Sequence, residues 1–258
     1  MEFSEWLVNQ AAIFFLLTIR MVGLFLTAPV FNNDNLPTRI KVGFSLLFSF
    51  IIFPTMAPEI QVFFDPVVYV GVMILELLIG VGIGLVASIL FSSIQVAGQL
   101  IDMQMGFAVV NILDPQSGIQ WPLMGYFKYV LAMLIYLALD GHHLLIAAIY
   151  ESYDFVLPGG YPDLAGGGEA MMVLFSQTFS LALKVSAPVL GALFLTNIIL
   201  GVLARSVPQM NVFIVGLPIK IAVGFFGMLL LIPVYIFVIE VILERISGGI
   251  LDFLEVLI

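Results

Sequence analysis

The chain has 258 residues, of which 62% are hydrophobic and only 10% are charged, with a net charge of −9 and no cysteine. Soluble domains average about 45–50% apolar and about 25% charged residues, so a single water-facing core cannot hold this many apolar side chains. Lipid or partner chains must cover the remainder. The absence of cysteine excludes disulfides and cysteine metal sites, and the negative charge disfavours nucleic acid as a partner.

Six apolar segments follow one another and predict an all-α, polytopic membrane protein that forms one domain over residues 1–258. They cover residues 6–30, 42–56, 67–96, 126–139 with an extension to 150, 170–203 and 212–242. A spanning helix needs about 20 apolar residues, so segments two and four are short and could be re-entrant. No cation precedes Arg20, so the first segment is expected to be retained rather than cleaved as a signal peptide.

Segments three, five and six are longer than a bilayer is thick, at about 1.5 Å per residue. Each also contains residues that weaken helices, namely Gly80, Gly82 and Gly84, then Pro188, and finally Pro218 and Pro233. We therefore predict kinked helices or helical hairpins for these three segments. Gly80 and Gly84 also form a GxxxG pattern, which allows close packing of two helices.

The cations between the segments predict an orientation in the membrane. Arg39, Lys41, Lys128 and Arg205 lie in or near connections one, three and five, whereas connection four has acidic residues and no cation. Cytoplasmic loops are enriched in Lys and Arg, so connections one, three and five are expected in the cytoplasm. Both termini would then lie outside.

Polar residues form a stripe near the end of segment three. Ser88, Ser92, Gln95, Gln99 and Asp102 are spaced by 4, 3, 4 and 3 residues, which places them on one face of a helix. Because lipid leaves polar groups unpaired, such a face usually meets a partner or water. The alternative is a helix that simply leaves the membrane near Gly98.

The stretch after this stripe, MGFAVVNILDPQSGIQW at residues 105–121, predicts an apolar loop. Asp114–Pro115 and Gly118 indicate a turn, because proline fixes the backbone and glycine tolerates positive φ. A surface loop would be more polar. This loop is therefore expected either to pack against protein or to fill a hole.

Several ionisable residues lie in or beside apolar segments. They are Glu76, Lys184 and Lys220. An ionisable group is energetically costly at membrane depth and often marks a functional site, although a long lysine side chain can instead reach the interface. Glu76 has a short side chain and needs a partner. His142 and His143 are neighbours, which point about 100° apart on a helix, so they are interpreted as interfacial or capping residues rather than as a metal pair.

Connection five is predicted to be a compact turn, because proline and glycine residues, which interrupt regular helices, occur in and beside it. Pro218 is expected to begin the helix that follows. Arg205 is expected to hydrogen-bond to backbone carbonyls or a carboxylate, since a guanidinium at membrane depth needs acceptors.

Four stretches in order resemble one known family. Residues 201–220, GVLARSVPQMNVFIVGLPIK, resemble the signature of the FliR family, and the stretches PVFNNDNLPTRIKVGFS at 29–45, QVAGQLIDMQMGFAVVNILDPQSG at 95–118 and DGHHLL at 140–145 resemble its other blocks. The signature residues present here are Arg205, Pro208, Gln209, Asn211, Phe213, Gly216, Pro218 and Lys220. The flagellar branch is favoured over its virulence counterpart, SctT, by overall similarity.

The resemblance implies a subunit of the flagellar type III export gate in the bacterial inner membrane, at the flagellar basal body. FliR would join FliP and FliQ in a helical assembly that forms the entrance channel for exported flagellar proteins, next to the export components FlhB and FlhA. It would perform no chemistry and hold no cofactor. In the family the loop at 106–121 enters the pore, so the implied plug residues are Gly106, Phe107, Val109, Val110, Ile112, Leu113, Asp114, Pro115 and Gly118.

Two other functions remain open from the residues alone. A secondary transporter of small solutes would usually show repeats and a midplane site, and no repeat stands out. A membrane enzyme would need a cluster of acid, base or metal-ligating residues, and the sequence contains no P-loop, GxSxG or HExxH motif.

Overall fold

The computed structural model of the protein describes residues 2–33, 35–56, 65–107 and 122–258. Within these ranges the chain forms α-helices and no strand, which confirms the all-α class. The helices are α1 (Glu2–Thr27), α2 (Thr38–Met56), α3 (Pro66–Met105), α4 (Leu123–Ala138), α5 (Gly141–Phe155), α6 (Leu164–Ser206) and α7 (Val212–Glu255).

Five of these helices, α1, α2, α3, α6 and α7, are long and apolar enough to cross a membrane. The shorter helices α4 and α5 meet at a bend of 65° and together could form a sixth span. The predicted polytopic membrane class is therefore confirmed. Segment four and its extension correspond to this bent pair.

The three longest segments are not interrupted. Helices α3, α6 and α7 run for 40, 43 and 44 residues without a break, so the alternative of helical hairpins within these segments is wrong. Reversing the chain in lipid would leave several backbone groups unpaired, whereas a proline inside a helix removes one hydrogen bond. Pro188, Pro218 and Pro233 accordingly lie inside helices.

The helices group into two compact units. The first contains Met1–Leu90, Asp140–Phe175 and Leu243–Ile258, and the second contains Phe91–Leu139 and Ser176–Ile242. Helices α3, α6 and α7 each contribute to both units along their length. That the two units act as one domain stays a prediction.

In the first unit, α1 buries one face against α3. Ile13, Leu17, Met21 and Leu24 are fully buried and recur every three or four residues, which is the spacing of one helical face. The glycines of α3 allow this approach: a methyl group at Gly80 would overlap the backbone carbonyl of residue 20, so the two backbones are in contact. The glycines that we interpreted as helix breakers are therefore sites of close helix packing, as the GxxxG pattern predicts.

The core of the second unit lies where the end of α3 meets α4, α6 and α7. Its buried members are Ile101, Met105, Met124, Val189, Leu193 and Met228. Met105 fills space that Gly224 of α7 leaves open, because a methyl group at Gly224 would overlap the Met105 side chain. This core therefore holds the end of α3 against the middle of α7.

Replacing Gly80 with alanine should separate α1 from α3, because the added methyl group meets backbone rather than a side chain that can move. We expect Gly80→Ala to lower the free energy of unfolding by about 1–3 kcal/mol. Gly71→Ala is a matched control on the same helix, since a methyl group there meets nothing within 4 Å. Its effect should be neutral or stabilising by up to about 1 kcal/mol. Denaturant unfolding in detergent, followed by circular dichroism, measures both, and equal effects would contradict the packing role.

Candidate functional site

A buried ion pair lies at the centre of the first unit. Arg20 of α1 and Glu76 of α3 are 0% and 1% exposed, and Nε of Arg20 donates to Oε2 of Glu76 at 2.6 Å. The remaining guanidinium nitrogens reach α5 and the residue after it. Nη1 donates to the carbonyl and hydroxyl oxygens of Ser152 at 3.1 and 2.9 Å, and Nη2 donates to the carbonyl of Val156 at 2.9 Å.

Aromatic and backbone groups complete the surroundings of this pair. The Arg20 guanidinium lies 4.2 Å from the ring centroid of Tyr153, within the range of a cation–π contact. The second oxygen of Glu76 accepts a hydrogen bond of 2.9 Å from the backbone N–H of Gly159, which has a positive φ of 90°. Glu76 therefore has its partner in Arg20, 56 positions away, and the pair ties α1, α3 and α5 together.

In the second unit, Asp102 joins the end of α3 to the start of α4. Both of its carboxylate oxygens accept the backbone N–H of Met124 at 3.0 Å, and Oδ2 also accepts that of Gly125 at 3.0 Å. Pro122, which precedes α4, makes no capping hydrogen bond through its side chain. Asp102 thus supplies the cap of α4 from another helix. The dipole of α4 also favours a negative charge at this end of the helix.

Small residues allow α3 and α4 to approach near this cap. A methyl group at Gly98 would overlap Gly125, so the two glycines place the helix backbones in contact. The carbonyl of Asp102 also accepts the N–H groups of Gly106 and Phe107, both at 3.1 Å. One residue therefore holds the last turn of α3 and the first turn of α4.

Lys128, one helical turn further along α4, faces the same region. It is 1% exposed, and its charge attracts the Asp102 carboxylate. Its Nζ lies 5.0 Å from the ring centroid of Tyr235 on α7. Among the described residues Nζ has no hydrogen-bond partner, so Asp102 and Tyr235 supply its electrostatic compensation.

The predicted polar stripe is only partly accessible. Ser88 donates a hydrogen bond to the carbonyl of Thr27, Ser92 and Gln95 are half-buried, Gln99 is exposed, and Asp102 is buried as the cap of α4. Asp102 therefore acts within the chain, a role that spacing alone did not indicate. That the rest of the stripe meets a partner or a lumen stays a prediction.

The predicted plug is described only at its first residues. Gly106 has a positive φ of 94°, and Phe107 packs against the core of the second unit. The remaining plug residues lie outside the described part of the chain; they are Val109, Val110, Ile112, Leu113, Asp114, Pro115 and Gly118. The described residues resume at Pro122, which lies immediately before α4 and next to its Asp102 cap.

Part of the signature stretch forms a compact turn between α6 and α7, as predicted. The connection is residues 207–211, and the N–H of Met210 donates to the carbonyl of Val207 at 3.0 Å. Asn211 caps α7, because its Oδ1 accepts the N–H groups of Phe213 and Ile214 at 3.1 and 3.3 Å. Pro208, Gln209 and Phe213 are exposed on this turn.

Two details of the signature differ from the prediction. Pro218 does not begin α7, which starts at Val212 and contains the proline in its second turn. The predicted hydrogen bonds of Arg205 are also wrong, since this side chain is exposed and has no partner among the described residues. It lies in the last turn of α6, where a cation is stabilised by the helix dipole without a specific acceptor. Lys184 of α6 is exposed as well.

A sequence profile of bacterial export proteins, family 1, matches residues 11–246. The chain is 39% identical over 230 residues to the flagellar biosynthetic protein FliR of Bacillus subtilis (strain 168), covering 88% of each chain. It is 32% identical over 234 residues to FliR of Pectobacterium carotovorum, covering 90% of this chain and 89% of the relative. It is 29% identical over 231 residues to FliR of Escherichia coli (strain K12), covering 89% and 87%.

The chain belongs to the FliR family. This confirms the resemblance drawn from the four sequence stretches. The flagellar family name, the five helices that could span a membrane and the low charge together make this a membrane protein of the flagellar export family.

The histidines of this FliR-family chain lie closer together than their helical spacing indicates. Asp140 has a left-handed backbone, with φ of 57°, at the bend between α4 and α5. His143 Nδ1 lies 3.2 Å from Asp140 Oδ1, and the rings of His142 and His143 are 4.1 Å apart. These three residues have ligand atoms within 4.8 Å of one another. Asp140 and His143 are exposed and paired with each other, and the Asp140 side chain makes no capping hydrogen bond to α5.

Asp102 and Lys128 should behave as a coupled pair. Asp102→Ala removes the cap of α4 and leaves the buried Lys128 without its counter-charge, so we expect a loss of about 3 kcal/mol or more in the free energy of unfolding. Lys128→Met leaves the cap in place. The double variant should therefore cost less than the two single changes together, with a coupling energy of about 1–3 kcal/mol.

Unfolding in detergent measures this double-mutant cycle. Lys184→Met is the matched control, because Lys184 is an exposed lysine on a membrane helix. It should change the free energy of unfolding by less than about 0.5 kcal/mol. Additive effects of the Asp102 and Lys128 changes would show that the two residues stabilise the unit independently.

Proposed function

We propose that this chain is a core subunit of the flagellar type III protein export gate. In this proposal it assembles with FliP and FliQ in the bacterial inner membrane, at the flagellar basal body, and forms the entrance channel for exported flagellar proteins. The family match over residues 11–246, with relatives named as flagellar biosynthetic proteins, carries the proposal. The same match favours protein export over the alternative of a small-solute transporter.

The uncovered surfaces of α6 and α7 support a place in an assembly. Within their most apolar windows, only 22% and 28% of the residues are buried, compared with 56% and 61% in α1 and α3. Large side chains such as Phe194, Phe226 and Phe237 are more than 60% exposed. Lipid can cover part of this surface, and neighbouring subunits would cover the rest.

The proposed role requires no chemistry by this chain. The buried charges of the described residues have partners within the chain: Arg20 pairs with Glu76, and Asp102 caps α4 and attracts Lys128. We infer that it acts as a structural part of a conduit rather than as an enzyme, without a cofactor. Other export components, FlhB and FlhA among them, would be its further partners.

We also propose that residues 106–121 close the pore of the assembled gate. The loop is rich in apolar residues, and apolar side chains in a narrow channel block ions by dewetting. The Asp102 cap supports this role, because it fixes the two helix ends from which the loop leaves and to which it returns. A loop whose two ends are held at the same place can be displaced by cargo and then return to its position.

Purification of the full chain in mild detergent tests the assembly. We expect two small hydrophobic proteins, FliP and FliQ, to copurify in a fixed ratio, and the chain to be unstable without them because its apolar surface stays uncovered. Mass spectrometry identifies the partners and their stoichiometry. A stable, solitary protein that binds a small solute would instead favour the transporter.

Two loop variants test the plug. Deletion of residues 109–118 should give complexes that leak small ions, and cells that overproduce them should grow poorly. A Gly/Ser replacement of the same ten residues keeps the loop length and the Asp102 tether while removing the apolar side chains, so it should leak as well. Ion flux into liposomes measures the leak. Variants that assemble normally and stay ion-tight would rule out the plug, and failure of both to assemble would show that the loop packs against its own helices.

A further inference from the structure

A cavity of about 470 Å³ lies between α6 and α7, beside Gly106 at the end of α3 and close to the signature turn. Its lining includes Asn197, Leu200 and Gly201 of α6 and Gly216, Leu217 and Lys220 of α7. The volume is within the range of small-molecule sites, about 300–1,000 Å³.

The polar groups of this cavity lack partners within the described chain. Lys220 and Asn197 are both half-buried, and neither the ammonium nor the side-chain amide has a hydrogen bond or ion pair to a described residue. The ammonium carries three donors and no acceptor, and the amide carries two donors. A ligand that offers several oxygen acceptors would satisfy the donors of both groups at once.

The charge of the surrounding chain favours an anion. Between residues 170 and 239 the sequence contains Lys184, Arg205 and Lys220 but no aspartate or glutamate, although the whole chain has a net charge of −9. No acidic side chain of this long stretch is therefore available to pair with Lys220. Among the described residues that line the cavity, Lys220 alone is charged.

The remaining walls are apolar and open towards the surface. Leu200 and Leu217 line the cavity, and Phe213 at its edge is 68% exposed. A methyl group at Gly201 would meet nothing within 4 Å, so the cavity is open on the α6 side because this position has no side chain. An apolar wall beside a cationic group fits a ligand that carries both a negative head and a hydrocarbon tail.

The depth of Lys220 in α7 also suits a lipid head group. Lys220 follows Val212, the first residue of α7, by eight positions, or about 12 Å at 1.5 Å per residue. Arg205 lies in the last turn of α6, at the same end of the helix pair. A lysine at this depth reaches towards the interface, where the phosphates of the bilayer lie.

We propose that this cavity binds the phosphate of an anionic phospholipid. Lys220 pairs with the phosphate, Asn197 donates to its oxygens or to the glycerol, and Leu200 and Leu217 contact the start of an acyl chain. Basic pockets between membrane helices bind anionic lipids by this chemistry. A lipid is favoured over an acidic side chain of a partner because the cavity combines one cationic group with the apolar side chains of Leu200 and Leu217, which suits a phosphate head group joined to an acyl chain.

Native mass spectrometry of the full chain in mild detergent tests the site. The probes are phosphatidylglycerol, zwitterionic phosphatidylcholine, diacylglycerol without phosphate, and inorganic phosphate. We expect phosphatidylglycerol to be retained most strongly. Lys220→Met should weaken its binding about tenfold or more, Lys220→Arg should keep most of it, and Lys184→Met should leave it unchanged.

A steric pair of variants gives a second readout that does not alter charge. Gly201→Leu should fill the cavity and abolish binding, whereas Gly191→Leu, at another open glycine of α6, should not. Circular dichroism confirms that the variants keep their helix content. Equal retention of phosphatidylglycerol and phosphatidylcholine, or unchanged binding in both Lys220→Met and Gly201→Leu, would overturn the proposal.

Two further outcomes identify a different ligand. Inorganic phosphate that displaces phosphatidylglycerol at equal concentration would show a site for free anions rather than lipids. A Lys220→Met chain that keeps its lipid but loses a copurifying subunit would show that the cavity receives a protein carboxylate. Because lipid binding is measured directly on this chain, the result is independent of the proposed role in export.

Discussion

The ion pair of Arg20 and Glu76 is the interaction on which the first unit depends. Both side chains are fully buried among apolar helices, where an isolated charge would be far too costly to keep. The pair is tolerated because each nitrogen of the guanidinium donates to an acceptor and both oxygens of the carboxylate have donors. Satisfying them all requires α1, α3 and α5 to occupy one arrangement, so the pair specifies the geometry that the apolar contacts then stabilise.

The glycine contacts follow from that arrangement. Gly80 lies against the backbone of residue 20, so α1 and α3 touch directly beside the ion pair. In the second unit Asp102 has a comparable effect, since its carboxylate is satisfied only when the start of α4 lies against the end of α3. Polar groups thus determine which helices are neighbours, while Gly98 and Gly125 permit the short distance between them.

The sequence predicts the helices well because long apolar runs have few alternatives in a membrane protein. It predicts partners poorly, because they are distant in the chain: Arg20 lies 56 residues from Glu76, and Asp102 lies 22 residues from Met124. Gly80 and Pro188 left two alternatives open for a different reason. Each can either end a helix or be accommodated within it, and only the neighbouring helices decide between the two.

The exposed residue Arg205 shows a similar limit to what the sequence predicts. A cation in an apolar region predicts a partner, yet the end of α6 offers a helix dipole and exposure instead. By contrast, the turn at residues 207–211 was predictable, because proline and asparagine act locally and need no distant residue.

The uninterrupted length of α3, α6 and α7 has a consequence for their position relative to the bilayer. At about 1.5 Å per residue, helices of 40 to 44 residues extend about 60–66 Å, whereas the hydrocarbon layer is about 30 Å thick. Even the shortest of these lengths, about 60 Å, would project over about 46 Å along the membrane normal for a straight helix tilted by about 40°, the upper end of the range for membrane helices. Hydrophobic mismatch of about 16 Å is more than a bilayer absorbs by thickening. A substantial length of each helix therefore stands outside the hydrocarbon, where only protein can shield its apolar side chains from water.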